Sequence, residues 1–402
     1  MKLHLILAHV ALALLAVILL VGCAPITPTA LPQSAPPTDQ FPTLDHFWSG
    51  SARFQVDVED TGLPMGESDT IILADGTWRS YVHASDQSLG VRDQCGNPVE
   101  FPGCLVTFTS TDGGQSFAPA LMQDGAPICQ MACARCPCDS RRDHIDQQQY
   151  PRVATLPASD RSHEQWLLTY EYRANTIVRR STDGLNWSEP VELPMTGIWQ
   201  NWLMPCATTS SIGLHPYTPK AYDCLTGSPP GIFIDRTANP PELYLFVGLG
   251  QNPSGMGCYR GAVNAPASLL RACNANPLFT GAVDYGPLEH NPETNANAHF
   301  DFRTISSAEV IQVGSRYYLF YEGVRGPGPG DHGDTQFLLG LARSQGGEID
   351  GAWELYPENP ILLDLPGNVG VGHADVVISH GETFLYTTLD GRVRSRLRLV
   401  WE

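Results

Sequence analysis

Five short apolar runs recur along the chain, each opened by a small residue or proline and followed by a tight turn and a second, aromatic-rich run. The first runs are SDTIIL from Ser68, PRVATL from Pro151, PGIFID from Pro230, AEVIQV from Ala308 and ADVVIS from Ala374. Their partners are WRSYVHAS from Trp78, WLLTYEYR from Trp166, LYLFVGLG from Leu243, YYLFYEGV from Tyr317 and FLYTTLDG from Phe384. Short runs of β-branched and aromatic residues bounded by turn residues read as strands, and turns such as ADG, VGS and SHGE join them into hairpins. A third strand follows in each unit, clearest at LVTFTS from Leu105, TIVRRS from Thr176 and FLLGLARS from Phe337.

The second residues of the five first runs, Asp69, Arg152, Gly231, Glu309 and Asp375, mark a repeat with intervals of 83, 79, 78 and 66 residues. That is longer than the common propeller periods, because the loops at 86–104, 121–146 and 254–300 are large. Five sequential antiparallel meanders with almost no helical periodicity between them predict an all-β, five-bladed β-propeller with loop insertions. The segment SARFQVDV at 51–58 alternates apolar and polar residues and is expected to supply the outer strand of the last blade, closing the ring and removing an exposed edge. A pair of β-sandwiches would instead place turn signals every 8 to 12 residues without the long recurrence.

Composition narrows the function. The 402 residues carry 42 acidic against 24 basic side chains, a formal charge of −18, which excludes the basic footprint a nucleic-acid partner needs. With 42% hydrophobic residues, 38 glycines and 33 prolines, the chain can bury a large core between many turns. Residues 1–23, MKLHLILAHVALALLAVILLVGC, form a weakly basic start and an apolar run ending in small residues, the pattern of an export segment. LVGC at Leu20–Cys23 resembles the bacterial lipobox, which implies lipidation at Cys23; an uncleaved anchor helix is the alternative, since the run is long enough to span a bilayer. Residues 24–43 are rich in proline and threonine and read as a semi-rigid linker, leaving 44–402 as the propeller. The expected setting is the bacterial cell envelope, with a monomer held to the membrane by its N-terminal lipid.

Removing Cys23 leaves ten cysteines, an even number that suits disulfides in an oxidising compartment. The cluster CQMACARCPC at Cys129–Cys138 is spaced like a thiolate metal site, but the compartment favours a disulfide-stapled loop over zinc. Sequence proximity suggests Cys95–Cys104, Cys206–Cys224 and Cys258–Cys273, although spacing does not fix pairing. STDGGQSF at 110–117 fits the Asp-box pattern Ser-x-Asp-x-Gly-x-x-aromatic, and STDGLNW at 181–187 is one residue shorter. In such turns the aspartate accepts backbone N–H groups and the glycine supplies positive φ, so Asp112 and Asp183 are structural.

Three stretches resemble the five-bladed propeller clan of glycoside hydrolases that includes arabinosidases, xylosidases and the invertase group. They are VIQVGSRYYLFYEG at 310–323, LARSQGGEIDGAWELYPENPIL at 341–362 and GVGHADVVISHGETFLY at 370–386, and the likeness in blade pattern runs from about Gly50 to the C-terminus. The resemblance implies carboxylates presented from inner-strand starts and converging at the propeller axis, where glycoside cleavage finds its general acid and its base or nucleophile. Carried onto this chain, it implies Glu309 as acid, Asp69 as base or nucleophile and Asp375 as their tuning partner. Arg152 and Asp146 would bind substrate, and Trp199 and Trp202 in GIWQNWLMP are candidates for stacking on sugar rings. GVGH implies that His373 points into the channel, where it would bind substrate or meet a Ca2+ ion through water; the carboxylate chemistry itself requires no cofactor. His83, Glu322, Tyr170 and Glu171 read as packed or edge residues.

The chain departs from the clan pattern in places. The clan's Asp-Pro and Glu-Gly-Pro signatures are replaced by Ser68-Asp69 and Ala308-Glu309, each carboxylate about one residue from its expected place, and a shift of one turns a strand residue to the other face. The third blade offers Pro230-Gly231 and no acid. Three functions follow: a surface-anchored glycosidase, a non-catalytic glycan- or protein-binding propeller, or a sialidase-like enzyme, which would want an arginine cluster where only Arg152 stands.

Overall fold

The computed structural model describes residues 41–402 apart from 84–89, 94, 100–103, 122–124, 126, 130–135, 140–147, 157–164, 173–174, 194–229, 250–254, 265–269, 281–299, 302–303, 326–335, 363–372 and 390–393. A short helix, α1 (Leu44–Trp48), leads into β1 (Ala52–Val58). The first blade is β2 (Ser68–Ile72), β3 (Trp78–His83), β4 (Leu105–Ser110) and β5 (Ala118–Pro119). The second is β6 (Gln149–Leu156), β7 (Gln165–Tyr172), β8 (Asn175–Ser181) and β9 (Val191–Glu192). The third is β10 (Gly231–Asp235), β11 (Glu242–Leu249) and β12 (Gly255–Ala262), with β13 (Arg271–Ala272) and β14 (Phe279–Thr280) both pairing β12. The fourth is β15 (Thr304–Val313), β16 (Arg316–Arg325), β17 (Gln336–Ser344) and β18 (Trp353–Leu355). The last is β19 (Asp375–Ser379), β20 (Glu382–Thr388) and β21 (Arg394–Trp401), completed by β1.

The chain is therefore an all-β five-bladed propeller, and β1 closes the ring by pairing antiparallel with β21 from Ala52↔Trp401 to Val56↔Leu397. Each inner strand packs against the inner strands of its neighbours, β2 on β6, β6 on β10, β10 on β15, β15 on β19 and β19 on β2. The apolar core is divided among the blade interfaces. One cluster joins Phe384 and Tyr386 of the last blade to Tyr81 and Phe108 of the first and Trp166 and Tyr170 of the second, and another joins α1 and β1 to the fourth and last blades through Phe47, Phe54, Phe320 and Leu397.

The turns after β4 and β8 staple adjacent blades. Ser110 Oγ and the Asp112 carboxylate collect the turn's own donors, including Gln115 N and Ser116 N at 3.0 Å, and so present Gly114 O to Tyr386 Oη at 2.8 Å in the last blade. Gly184 O takes Tyr81 Oη at 2.6 Å in the same way across the next interface. A Cβ on Gly114 would fall 2.1 Å from Tyr386 Oη, so glycine is required by the approach as well as by its φ of 77°.

The disulfides correct one expected pairing: Cys95 joins Cys136 and Cys104 joins Cys129, while Cys258–Cys273 forms as expected. Cys104 opens the first blade's third strand, and its bond to Cys129 ties that strand to the cysteine-rich loop. Cys206–Cys224 lies outside the described residues. Phe41 lies beside Gly381 of the β19–β20 turn, so the described chain joins the propeller where the inner strands end, away from where they begin.

Candidate functional site

The five marker positions meet at the axis, but as a seal. Arg152, at the start of the second inner strand, is 2% exposed and spends all five N–H donors on protein acceptors. Its Nε reaches Ala308 O at 3.0 Å, Nη1 reaches Ser68 O and Pro151 O at 3.1 Å each, and Nη2 reaches Ala374 O at 3.2 Å and Ser307 Oγ at 3.4 Å. One guanidinium thus holds the main chains of the first, second, fourth and last blades. Glu309 pairs with it, Oε2 standing 3.1 Å from Nε. Arg152, expected from the sequence to bind substrate, has its donors directed at protein acceptors.

The neighbouring carboxyls serve the same layer. Asp375 is fully buried and accepts Ser68 Oγ at 2.6 Å, Thr70 Oγ1 at 2.7 Å and Thr70 N at 3.0 Å, which locks the last blade to the first. Asp69 accepts the backbone N–H of Val153 and locks the first blade to the second. Burial and the nearby Asp375 push Asp69 up to about 7 against the pull of Arg152, and burial with Asp69 and Asp375 pushes Glu309 well above its ordinary range.

A second layer is formed by the residues two positions before four of the markers, Glu67, Tyr150, Ser307 and His373; the fifth such position, 229, lies outside the described residues. Tyr150, Ser307 and His373 have φ of 51°, 51° and 57°, so each backbone turns left-handed two residues before its marker. Bulges between Gln149 and Arg152 and between Ser306 and Glu309 mark the same event in the strand registers. The second strands contribute from across the ladder: His83 N bonds Glu67 O at 2.9 Å, and Glu322 lies opposite Ser306.

Glu67, His373 and Glu322 form the centre of this layer. Glu67 Oε1 is 3.1 Å from His373 Nε2 and Glu67 Oε2 is 2.7 Å from His83 Nδ1. Glu322 Oε1 lies on the other side of the same His373 nitrogen at 3.4 Å and finds no aligned hydrogen-bond donor among the described residues. The two carboxyl oxygens are therefore no farther apart than the sum of those distances to Nε2, roughly 6.5 Å. Glu322 Oε2 takes Ser306 Oγ at 3.3 Å, and His373 Nδ1 faces Ser307 Oγ at 3.4 Å.

The electrostatics split this pair. Burial alone would raise Glu67, but the imidazoles of His373 and His83 outweigh it and hold the carboxyl far below its usual range. Glu322 goes the other way, pushed well above its usual range by burial and by the charge on Glu67. Burial, aided by Arg394, lowers His373 to about 4, so the ring is neutral at pH 7. An ionised Glu67 only accepts, so the protons sit on His373 Nε2 and His83 Nδ1, and His373 Nδ1 is free to accept from Ser307. Arg394 of β21, fully buried, fixes the backbone of this layer by donating to Gly66 O, to His373 O at 2.7 Å and to Tyr386 O at 2.7 Å.

Sequence reading overlooked Glu67 and Arg394 and assigned His83 and Glu322 to packing. Glu67 was within reach, since it lies on the same strand face as Asp69 by the period of two. Asp146, Trp199, Trp202 and Cys23 lie outside the described residues. Among the described residues the one trio of acidic, imidazole or thiol groups close enough to share an ion is Asp93, Cys95 and Cys138, and both cysteines there are in disulfides.

The chain matches no protein-family model and none of the curated proteins. Its structural neighbours are glycoside hydrolases. It superposes on xylan β-1,4-xylosidase from Bacillus halodurans with a TM-score of 0.45 and 14% identity, over 86% of this chain and 54% of that one. The chain thus spans about half the length of that xylosidase. Endo-1,4-β-xylanase from Bacteroides thetaiotaomicron gives 0.46 and 14% over 85% of this chain and 92% of that one, and an α-L-arabinanase from Cellvibrio cellulosa gives 0.45 and 10% over 84% and 91%. At such identities the likeness is one of fold.

Proposed function

We propose that the propeller cleaves glycosidic bonds at the mouth of its channel, with Glu322 as general acid and Glu67 as general base or nucleophile. The observation that carries this reading is the pair itself: two carboxyls flank one imidazole, and their surroundings drive one towards the protonated and the other towards the ionised form. Such divergence is what acid and base roles require of two like groups. Glu322 would protonate the leaving oxygen, while Glu67 would either attack the anomeric carbon or take a proton from the attacking water. His373 Nε2 now fills the space between them, so a bound sugar has to turn the ring aside and break its bond to Glu67. The earlier trio of Asp69, Glu309 and Asp375 is reassigned to the seal beneath, and no cofactor is required.

A second reading rests on one observation. Both Glu67 oxygens are taken by imidazoles, which suits a mouth that binds glycan or protein without cleaving it. The sialidase-like alternative loses its one marker arginine, because the donors of Arg152 are spent. For the setting, the LVGC motif supports lipidation at Cys23 and attachment to the cell envelope; recovery of Cys23→Ser in the membrane fraction would count against it.

The test is sugar release by the full chain in detergent from a panel of aryl glycosides and plant polysaccharides. Glu67→Gln and Glu322→Gln should each lower the rate by at least about 100-fold with unchanged circular dichroism. Release that survives both changes refutes the assignment. No release from any substrate, with sugar binding retained, selects the second reading.

A further inference from the structure

The seal divides the channel, and its other side opens into a cavity of about 410 Å³ at the ends of the first four inner strands. Its walls include Ile72 and Phe233, and its polar side chains are those of Glu309, Asp235, Arg236 and Gln312, with Thr155 and Thr237 beside them. Glu309 stands at the inner end, tied to Arg152 through Oε2. Arg236 is exposed and anchored by one nitrogen, Nη2, which donates to Thr155 O at 2.7 Å and Thr155 Oγ1 at 2.6 Å. Asp235 Oδ1 is held by Thr237 N at 2.8 Å and Thr237 Oγ1 at 2.6 Å. Arg152 bridges the blades between this cavity and the mouth, and Gly231 packs so tightly that a Cβ there would lie 2.5 Å from Ala308 O.

The lining selects among ligand classes. An anion would face the ionised Asp235, whose carboxyl, despite burial, the Thr237 hydrogen bonds hold below its usual range, on a chain of net charge −18. A cation would meet Arg236, with the guanidinium of Arg152 directly behind Glu309. An apolar ligand would take the Asp235 carboxylate and the exposed Arg236 guanidinium out of water, which costs more than the contact returns. A neutral ring bearing hydroxyls satisfies both. Its hydroxyls donate to the two carboxyls and accept from Arg236 and Gln312, and its C–H faces pack on Ile72 and Phe233. We infer that this cavity is a second binding site, for a single neutral sugar ring, at the end of the axis opposite the mouth. The inference stands on the cavity alone and is independent of cleavage at the mouth.

The experiment is ligand-observed NMR and calorimetry on the full chain in detergent, with D-xylose, L-arabinose and D-glucose as probes, and acetate and propylamine as charged controls. At least one sugar should bind saturably, with a Kd on the order of 1 mM, and neither control should. Arg236→Ala, at an exposed position, and Ile72→Trp, which fills the cavity from its rim, should each weaken binding at least about tenfold. Glu67→Gln should leave this binding unchanged, whatever it does to hydrolysis. The inference is overturned if no sugar binds, if acetate or propylamine binds instead, if both cavity variants bind like the wild type, or if Glu67→Gln abolishes the signal.

Discussion

Replacing Arg152 by methionine tests the seal. The change keeps the volume of the side chain and removes five donors, leaving Ser68 O, Pro151 O, Ala308 O and Ala374 O to find other partners. A buried acceptor left without a donor costs about 1–3 kcal/mol, which sets a ceiling near 12 kcal/mol for four. Two effects lower that figure. Water can reach groups beside the 410 Å³ cavity, and Asp69 and Glu309, both pushed towards their protonated forms, need not remain as bare charges. The expected loss is therefore about 5 kcal/mol, at the upper end for breaking one buried ion pair. Arg152→Lys should recover less than half of it, because an ammonium keeps the charge but cannot spread its donors over four blades. The assay is urea unfolding followed by tryptophan fluorescence. Arg53→Met serves as the control, since its pair with Glu402 is 58% exposed on both sides and its loss should stay within about 0.5 kcal/mol. A loss below about 1 kcal/mol for Arg152→Met would refute the claim that one guanidinium binds the blades together.

Two further outcomes follow from the same layer. Asp69 keeps its proton to about pH 7 in the folded chain but loses it near 3.8 when unfolded, so its ionisation opposes folding increasingly as pH rises between those values. Asp69→Asn, which cannot ionise, should therefore gain stability relative to the wild type from pH 4 to pH 7, by up to about 4 kcal/mol, and level off above; unfolding titrations that show a constant difference from pH 4 to 8 would contradict this. Gly231→Ala places a Cβ 2.7 Å from Ala308 Cβ as well as against its carbonyl, and should destabilise by about 1–3 kcal/mol in thermal unfolding. A variant within about 0.5 kcal/mol of the wild type would show that the third and fourth inner strands have room to part.

The fold was legible because its units repeat. Five hairpins with a fixed order of small residue, apolar run, turn and aromatic run fixed the blades, and the alternation of residues 51–58 identified the closing strand. The site was legible only in part, for a geometric reason. Strand periodicity places Asp69, Arg152, Glu309 and Asp375 in one layer, and they do share it. It carries no sign that Tyr150, Ser307 and His373 take a left-handed turn two residues before their markers, and those turns build the layer above. Nor does it show that Glu322 and His83 reach that layer from second strands, since cross-strand neighbours depend on registers that bulges shift. His373 was found through the GVGH motif; its partners required coordinates. The pairings of Cys95 and Cys104 were hidden for a similar reason, since loops return cysteines to one another in space without regard to order along the chain.

The pairing of β1 with β21 sets the order of events during synthesis. β1 leaves the ribosome more than three hundred residues before its partner at Arg394–Trp401, so through most of translation it has no ladder to join. The last blade is the final one to be completed, and the ring cannot close until the C-terminal strand has emerged. Closure at such sequence separation is entropically slow.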